Sequence, residues 1–264
     1  FPPYLRELGI FGRIYYATFG RTCAHKAINI VTDSEHAKGD IVRLWRVMPE
    51  KITVIPLGLA DRYAPVKDKE RCAQVIKNFA LPERYLLYLG NFKPHKNVIS
   101  LVRSFARIKE EVKGLKLVLA GPLDAHGENL RRQVNELGLD KDVIFTGMIR
   151  EDDLPEVILS LADVFVFPSL YEGFGIPPLE AMACGTPVVA SNLTAIPEVV
   201  KDAGLLVNPL NIEELARAIL SLLNNRDLHG SYSKMGLARS EQFRSGQTAG
   251  RLYRHIIQLL EAQE

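Results

Sequence analysis

A chain of 264 residues that is 47% hydrophobic holds enough apolar mass for one large or two small packed domains, which excludes a disordered polymer. Its 33 basic and 31 acidic residues leave a net charge of +2, without the broad basic excess of a nucleic-acid binder, so any bound phosphate is expected to be held by a few placed groups. Cys23, Cys72 and Cys184 are odd in number and far apart, which argues against a disulfide framework or a zinc site.

The chain starts at Phe1 and reads as a piece of something longer or a trimmed chain. Its first residues lack a charged start followed by a hydrophobic stretch, and no apolar run reaches the roughly 18 residues of a membrane span. The expected setting is the cytoplasm. Aromatic and basic residues from Arg13, Ile14, Tyr15 and Tyr16 to Arg21 leave open a peripheral contact at the inner membrane face, although ordinary helix packing is the simpler account.

Short runs rich in Val, Ile and Leu recur at 27–31, 52–55, 85–89, 115–120, 143–145, 163–167, 187–190 and 204–207. Continuous rather than alternating runs predict strands buried on both faces, as in a parallel sheet covered by helices. Between the third and fourth runs, Val98, Leu101, Phe105, Ile108 and Val112 recur every three or four residues and predict a helix with one apolar stripe. Similar patterns predict helices at 129–137, 154–161, 212–223 and 250–260, with turns at Gly121-Pro122, Gly138 and Asn208-Pro209. The expected fold class is therefore α/β, with a parallel sheet and right-handed crossovers.

Turn residues near Pro56, Gly58 and Pro65 predict a boundary. Residues 1–57 hold too few elements to cover a sheet and read as the tail of a domain whose beginning is absent; 58–65 form a linker and 66–244 the main domain. The last helix, within 245–264, has a wide apolar stripe and is expected to dock back on the opening segment.

The chemistry concentrates where the strand 163–167 ends. A loop containing Gly173 and Gly175 leads into a helix beginning near Pro177, and proline suits the first helical position because its missing N–H has no intrahelical acceptor. Free N–H groups at such a start attract anions. Glu172 lies in the loop and Glu180 about one turn into the helix, with seven residues between them. For an isolated pair of this kind, a dipole-favouring acid and an exposed loop acid would be the ordinary explanation.

The surrounding residues change that reading. Pro168-Ser169-Leu170-Tyr171-Glu172-Gly173-Phe174-Gly175, followed by Pro178-Leu179-Glu180-Ala181-Met182-Ala183-Cys184-Gly185-Thr186-Pro187-Val188-Val189, resembles the retaining GT-B glycosyltransferases known as glycosyl transferases group 1. The resemblance takes in Tyr88-Leu89-Gly90 with Lys96-Asn97, Leu119-Ala120-Gly121, Phe145-Thr146-Gly147, Pro197-Glu198-Val199 and Ala203-Gly204. It implies a Rossmann-like second domain that holds a nucleotide-sugar donor, facing a first domain that offers the acceptor, with 1–57 as the remnant of that acceptor-side domain. It also implies that Glu180 bonds the ribose hydroxyls and Glu172 the donor sugar. Backbone N–H groups at Gly173, Phe174, Gly175 and Ile176 would meet sugar hydroxyls or the distal phosphate, and the backbone near Met148 the base. Gly90 and Ser169 would line the diphosphate path, and Lys96 would hold the diphosphate.

Many members of the family place arginine after the glycine that matches Gly90, where this chain has Asn91; Lys93 or His95 are the candidates to supply that charge. A fixed cation at Lys96 suits charge that builds on a leaving diphosphate. The resemblance implies transfer with retention, with neither metal nor cofactor and with a nucleoside diphosphate sugar as substrate: GDP-mannose as first expectation and a UDP-sugar as second. A glycan, a lipid-linked sugar or a small molecule would be the acceptor. The competing readings are a nucleotide-sugar epimerase of the same architecture and a donor-binding subunit inactive without its missing domain or a partner chain.

Other nucleotide readings fail on spacing. No G-x-G-x-x-G follows a strand, and Gly121 and Gly127 have five residues between them, with Glu128 where a P-loop needs lysine. Asp140-Lys141-Asp142 precedes a strand and reads as a solvated turn rather than a metal-binding D-x-D.

Overall fold

The computed structural model describes residues 9–261 and shows two regions, each built on its own parallel sheet. The first begins with helix α1 (Ile10–Tyr15), which passes through a π-helical turn, Tyr16–Gly20, into α2 (Arg21–Lys26). Strands β1 (Ile30–Thr32) and β2 (Ile52–Val54) pair in parallel, with Ile30 beside Ile52 and Thr32 beside Val54. Helix α3 (Glu35–Trp45) connects them, starting where the Ser34 hydroxyl accepts from the Ala37 N–H. The buried core of this region is small: Ala24, Ile41, Val47 and Ile52. Its first strand lies later than the apolar run suggests, because residues up to Ala27 are used to close α2.

The second region is built on a six-stranded parallel sheet in the order β5-β4-β3-β6-β7-β8. Its elements alternate along the chain: α4 (Lys69–Phe79), β3 (Arg84–Leu89), α5 (Val98–Ile108), β4 (Leu115–Ala120), α6 (Ala125–Glu136), β5 (Val143–Gly147) and α7 (Pro155–Leu161). Then come β6 (Val164–Phe167), α8 (Ile176–Ala183), β7 (Val188–Ser191), α9 (Ile196–Val200) and β8 (Leu205–Val207), followed by α10 (Ile212–Asn224), α11 (Arg226–Ser240) and α12 (Ser245–Glu261). Every apolar run of the sequence holds a strand. Leu86, Leu87, Tyr88, Leu117, Val118, Val164, Phe165, Val166, Val188 and Val189 are all fully buried, as strands covered on both faces require.

Several helices differ from the sequence expectation, and α4 and α9 have no predicted counterpart. Helix α6 begins four residues early, because the Asp124 carboxylate accepts from the N–H groups of His126 and Gly127 and starts the helix there. The final helix begins at Ser245 rather than near residue 250. Helix α11, fifteen residues long, carries no clear apolar stripe; it starts at an Asn225 cap and packs closely on α8, where a Cβ on Gly236 would stand 3.2 Å from the Met182 side chain.

Strand order reverses between β3 and β6: the chain runs outward to β4 and β5 on one side, then returns to β6, β7 and β8 on the other. At such a switch point the loops leave in opposite directions and open a crevice beyond the carboxyl ends of the strands. The loops at that crevice are the ones after Leu89 and after Phe167.

Candidate functional site

Three strand ends are stitched side by side at the crevice. The Gly90 N–H donates to the Ala120 carbonyl and the Gly121 N–H to the Gly147 carbonyl, each at 2.9 Å. Gly90 has φ +150°, and a Cβ on Gly121 would fall 2.0 Å from the Gly90 carbonyl oxygen, so neither position has room for a side chain. Close backbone approach of this kind leaves the crevice floor low.

After β3, a short 3₁₀ turn, Pro94–Lys96, ends at Asn97, which sits in the left-handed region with φ 53°. The Asn97 amide donates to the carbonyls of Pro168 and Pro209, and its own oxygen accepts from the Ser100 hydroxyl. The Leu170 N–H in turn donates to the His95 carbonyl at 2.7 Å. These bonds tie the β3 loop to the β6 loop and bring together two residues 76 positions apart: Lys96 Nζ lies 2.6 Å from Glu172 Oε1. Both side chains are largely withdrawn from water, at 13% and 12% exposure, and the ammonium also lies 5.6 Å from the centre of the Phe167 ring. An ion pair so placed is screened by salt far less than a surface pair.

The β6 loop is held from below as well. The Glu172 N–H donates to the Thr194 hydroxyl, and the Phe174 ring is buried edge-on against Phe243 with centroids 5.9 Å apart, so Phe174 can serve the crevice only through its backbone. Gly175, with φ 115°, begins α8 with no side-chain cap. Pro177 and Pro178 occupy the next turn and have no N–H, which leaves the Ile176 N–H as the unspent donor of that turn. Ser169 is fully buried, and its hydroxyl has no bonding partner among the described residues.

The remaining expected residues are placed as follows. Asn91 uses its carboxamide oxygen to accept from the Lys93 N–H at 3.2 Å, and its carbonyl accepts from the Tyr88 hydroxyl at 2.6 Å, so this residue shapes its own turn. His95 is buried, whereas Lys93 is partly exposed beside it. Met148 follows the Gly147 turn, and its side chain is 60% exposed. Glu180 is only partly exposed, and burial holds its carboxyl above the usual value near 4.5. Asp142 does not face the crevice; it pairs with Lys109 and Lys116, each at 2.7 Å.

Sequence reasoning missed several groups that complete the site. Arg62 and Tyr63, from the linker, interact with Glu180. From the first region, the Ser34 hydroxyl donates to the Gly173 carbonyl at 2.5 Å, and the Tyr171 hydroxyl bonds the Asp40 carboxylate. Glu198 accepts the N–H groups of Glu35 and His36 at 2.8 and 2.7 Å, capping α3 from the opposite region. Asp33 stands near Gly173, its carboxyl raised first by burial.

A family profile described as glycosyl transferases group 1 matches residues 72–239. The chain is 33% identical over 216 residues to O-antigen chain mannosyltransferase B of Escherichia coli, covering 81% of this chain and 56% of that protein. It is 35% identical over 184 residues to a GDP-mannose-dependent alpha-(1-6)-phosphatidylinositol monomannoside mannosyltransferase of Mycobacterium tuberculosis, covering 66% of this chain and 47% of that one. The chain thus spans about half the length of these relatives. Among solved structures, sucrose-phosphate synthase from Thermosynechococcus elongatus superimposes with a TM-score of 0.77 at 29% identity, covering 93% of this chain and 62% of that one. With a family profile matched over more than half of its residues and a parallel sheet shared with solved GT-B structures, the chain belongs to the glycosyl transferases group 1 family.

Proposed function

We propose that this chain forms the donor-binding half of a hexosyltransferase that moves mannose from GDP-mannose to an acceptor with retention at the anomeric carbon and without a metal ion. The observation that carries the reading is the largely buried Lys96–Glu172 pair beside the start of α8. The names of the two relatives, both mannosyltransferases and one GDP-mannose-dependent, support mannose as the sugar and guanine as the base. A UDP-sugar is the second choice.

In this reading the donor diphosphate takes the Lys96 ammonium from Glu172. As the bond to the anomeric carbon breaks, negative charge grows on the departing diphosphate, and a cation already fixed in a dry site stabilises that state more than the ground state. Lys96 thereby supplies the neutralisation that a divalent ion provides elsewhere. Glu172, released from the ammonium, accepts from hydroxyls of the donor sugar, while the Ile176 N–H at the start of α8 meets sugar hydroxyl or distal phosphate. Glu180 accepts from the ribose hydroxyls, and the backbone at Met148 meets the base. The acceptor, whether a glycan, a lipid-linked sugar or a small molecule, would approach from the side of the first region.

Calorimetry of the chain against GDP, UDP and ADP tests the donor assignment: tightest binding of GDP is expected, and a preference for ADP would overturn it. In the complete enzyme, product of inverted configuration or a reversible loss of activity with chelator would overturn retention and metal independence respectively.

A further inference from the structure

The partners of Glu180 come from a part of the chain outside the motif. Tyr63 lies in the linker, 6% exposed, with its hydroxyl placed to donate to the Glu180 carboxylate. The Arg62 guanidinium lies 3.4 Å from that hydroxyl and 5.1 Å from the centre of the Tyr63 ring. From the other side, Arg244 donates to the Tyr63 carbonyl at 3.2 Å, and Leu59, four residues before Tyr63, is bonded at both its N–H and its carbonyl to Phe243 and Ser245. The phenol is therefore fixed by covalent neighbours and by two arginines, not by the acid it faces.

We propose that Tyr63 is a positioning residue for nucleotide recognition, its hydroxyl holding one oxygen of Glu180 so that the other is presented to the vicinal hydroxyls of a ribose. The proposal rests on the reading of Glu180 as the ribose acceptor. A carboxylate turns about a broad, roughly two-fold terminal torsion, so without a fixed neighbour it must be ordered when ligand arrives. A donor already in place removes that ordering cost and improves affinity without touching the ligand. It also opposes burial, which by itself drives the acid toward the neutral form that accepts poorly; the Tyr63 bond and the Arg62 charge both act in the opposite direction. Tyr63 is suited to the task because burial, with Glu180 beside it, raises its own pKa beyond the usual value, so it stays a donor.

The test uses whichever of GDP and UDP the chain binds more tightly, together with its 2′,3′-dideoxy counterpart. Tyr63→Phe removes a single oxygen and keeps the ring. Dissociation constants for the ribose nucleotide should rise about 5- to 20-fold in the variant, the loss of one hydrogen bond to a charged group, while those for the dideoxy nucleotide should not move. In a Glu180→Gln background the same substitution should cost little further. Equal losses for both nucleotides would show Tyr63 to be a packing residue only, and an unchanged affinity for the ribose nucleotide would show that Glu180 needs no positioning; either result overturns the proposal. If the unaltered chain fails to distinguish ribose from dideoxyribose, or if Glu180→Gln leaves affinity unchanged, the assignment of Glu180 falls first and takes the proposal with it.

Discussion

The two regions of this chain are stabilised in different ways. Among the described residues, the main region buries a continuous core from Leu59 to Phe243 around a six-stranded sheet, whereas the core cluster of the first region is small: Ala24, Ile41, Val47 and Ile52 around two strands. The first region is also held by polar bonds to its neighbour: Pro56 and Asn29 meet Thr248 and His255 of α12, and Ser34, Asp40 and the start of α3 meet Gly173, Tyr171 and Glu198. Of these, Gly173 and Tyr171 lie in the loop that carries Glu172. The same loop therefore serves as floor of the crevice and as anchor for the region opposite, so loosening one end should be felt at the other.

The largest effect that would sharpen this contrast lies wholly inside the main region. Lys96→Ala should lower turnover of the complete enzyme roughly 100- to 1,000-fold, as loss of one charge-stabilising group does, with the sheet intact by circular dichroism. A change confined to the Michaelis constant would instead mean that Lys96 binds ground state and transition state alike. Next, Glu180→Ala should weaken nucleoside diphosphate binding by about 1.5 to 3 kcal/mol in calorimetry. Because the ionised acid is the useful acceptor and burial holds its pKa above the usual 4.5, affinity should be full at neutral pH and fall as pH drops through that raised value. Glu180→Gln should remove this acid limb while leaving the nucleotide's own phosphate titration in place.

The seam between regions can be broken separately. Glu198→Ala removes two charge-assisted bonds at the start of α3 and should cost about 1 to 2 kcal/mol locally, read as faster amide exchange at residues 35–37 with the main sheet still protected. Uniformly faster exchange would show that the regions unfold together and end the contrast. The smallest expected effect is in the outer turn of the main region. Lys109 and Lys116 hold the Asp142 carboxyl below its ordinary value near 3.8, so its contribution is present above that value and lost as pH falls through the lowered one. Asp142→Asn should lower stability by about 0.5 to 1 kcal/mol at pH 7, a difference that should vanish in strong acid.

How legible these features were depended on how locally each was encoded. Strands such as Val164–Phe167 are continuous apolar runs, and burial on both faces leaves no other role for them. Helix α11 was not legible, because its packing depends on Gly236 lying against Met182 of another helix rather than on a stripe of its own. Lys96 and Glu172 were named from their motifs, but their contact depends on Asn97 reaching Pro168 and Pro209, which no local pattern records. Tyr63 offered one weak signal, an aromatic just before Pro65 in an otherwise turn-rich stretch, and its link to Glu180 spans more than a hundred residues. The cap that Glu198 places on α3 is longer-ranged still; Ser34 supplied an ordinary cap, and nothing nearby called for a second.

The bonds at Leu59 give the whole chain a mechanical character. The polypeptide enters the main region past Leu59 and leaves it past Phe243 and Ser245, and these two crossings are paired: Leu59 N–H to the Phe243 carbonyl at 2.6 Å, and Ser245 N–H to the Leu59 carbonyl at 3.0 Å. Beyond them, Thr248 bonds the Pro56 carbonyl and His255 meets Asn29. Four bonds at one crossing tie the entry and exit of the main region into a single junction, so a substitution that breaks the Leu59 pairing loosens both passages of the chain at once.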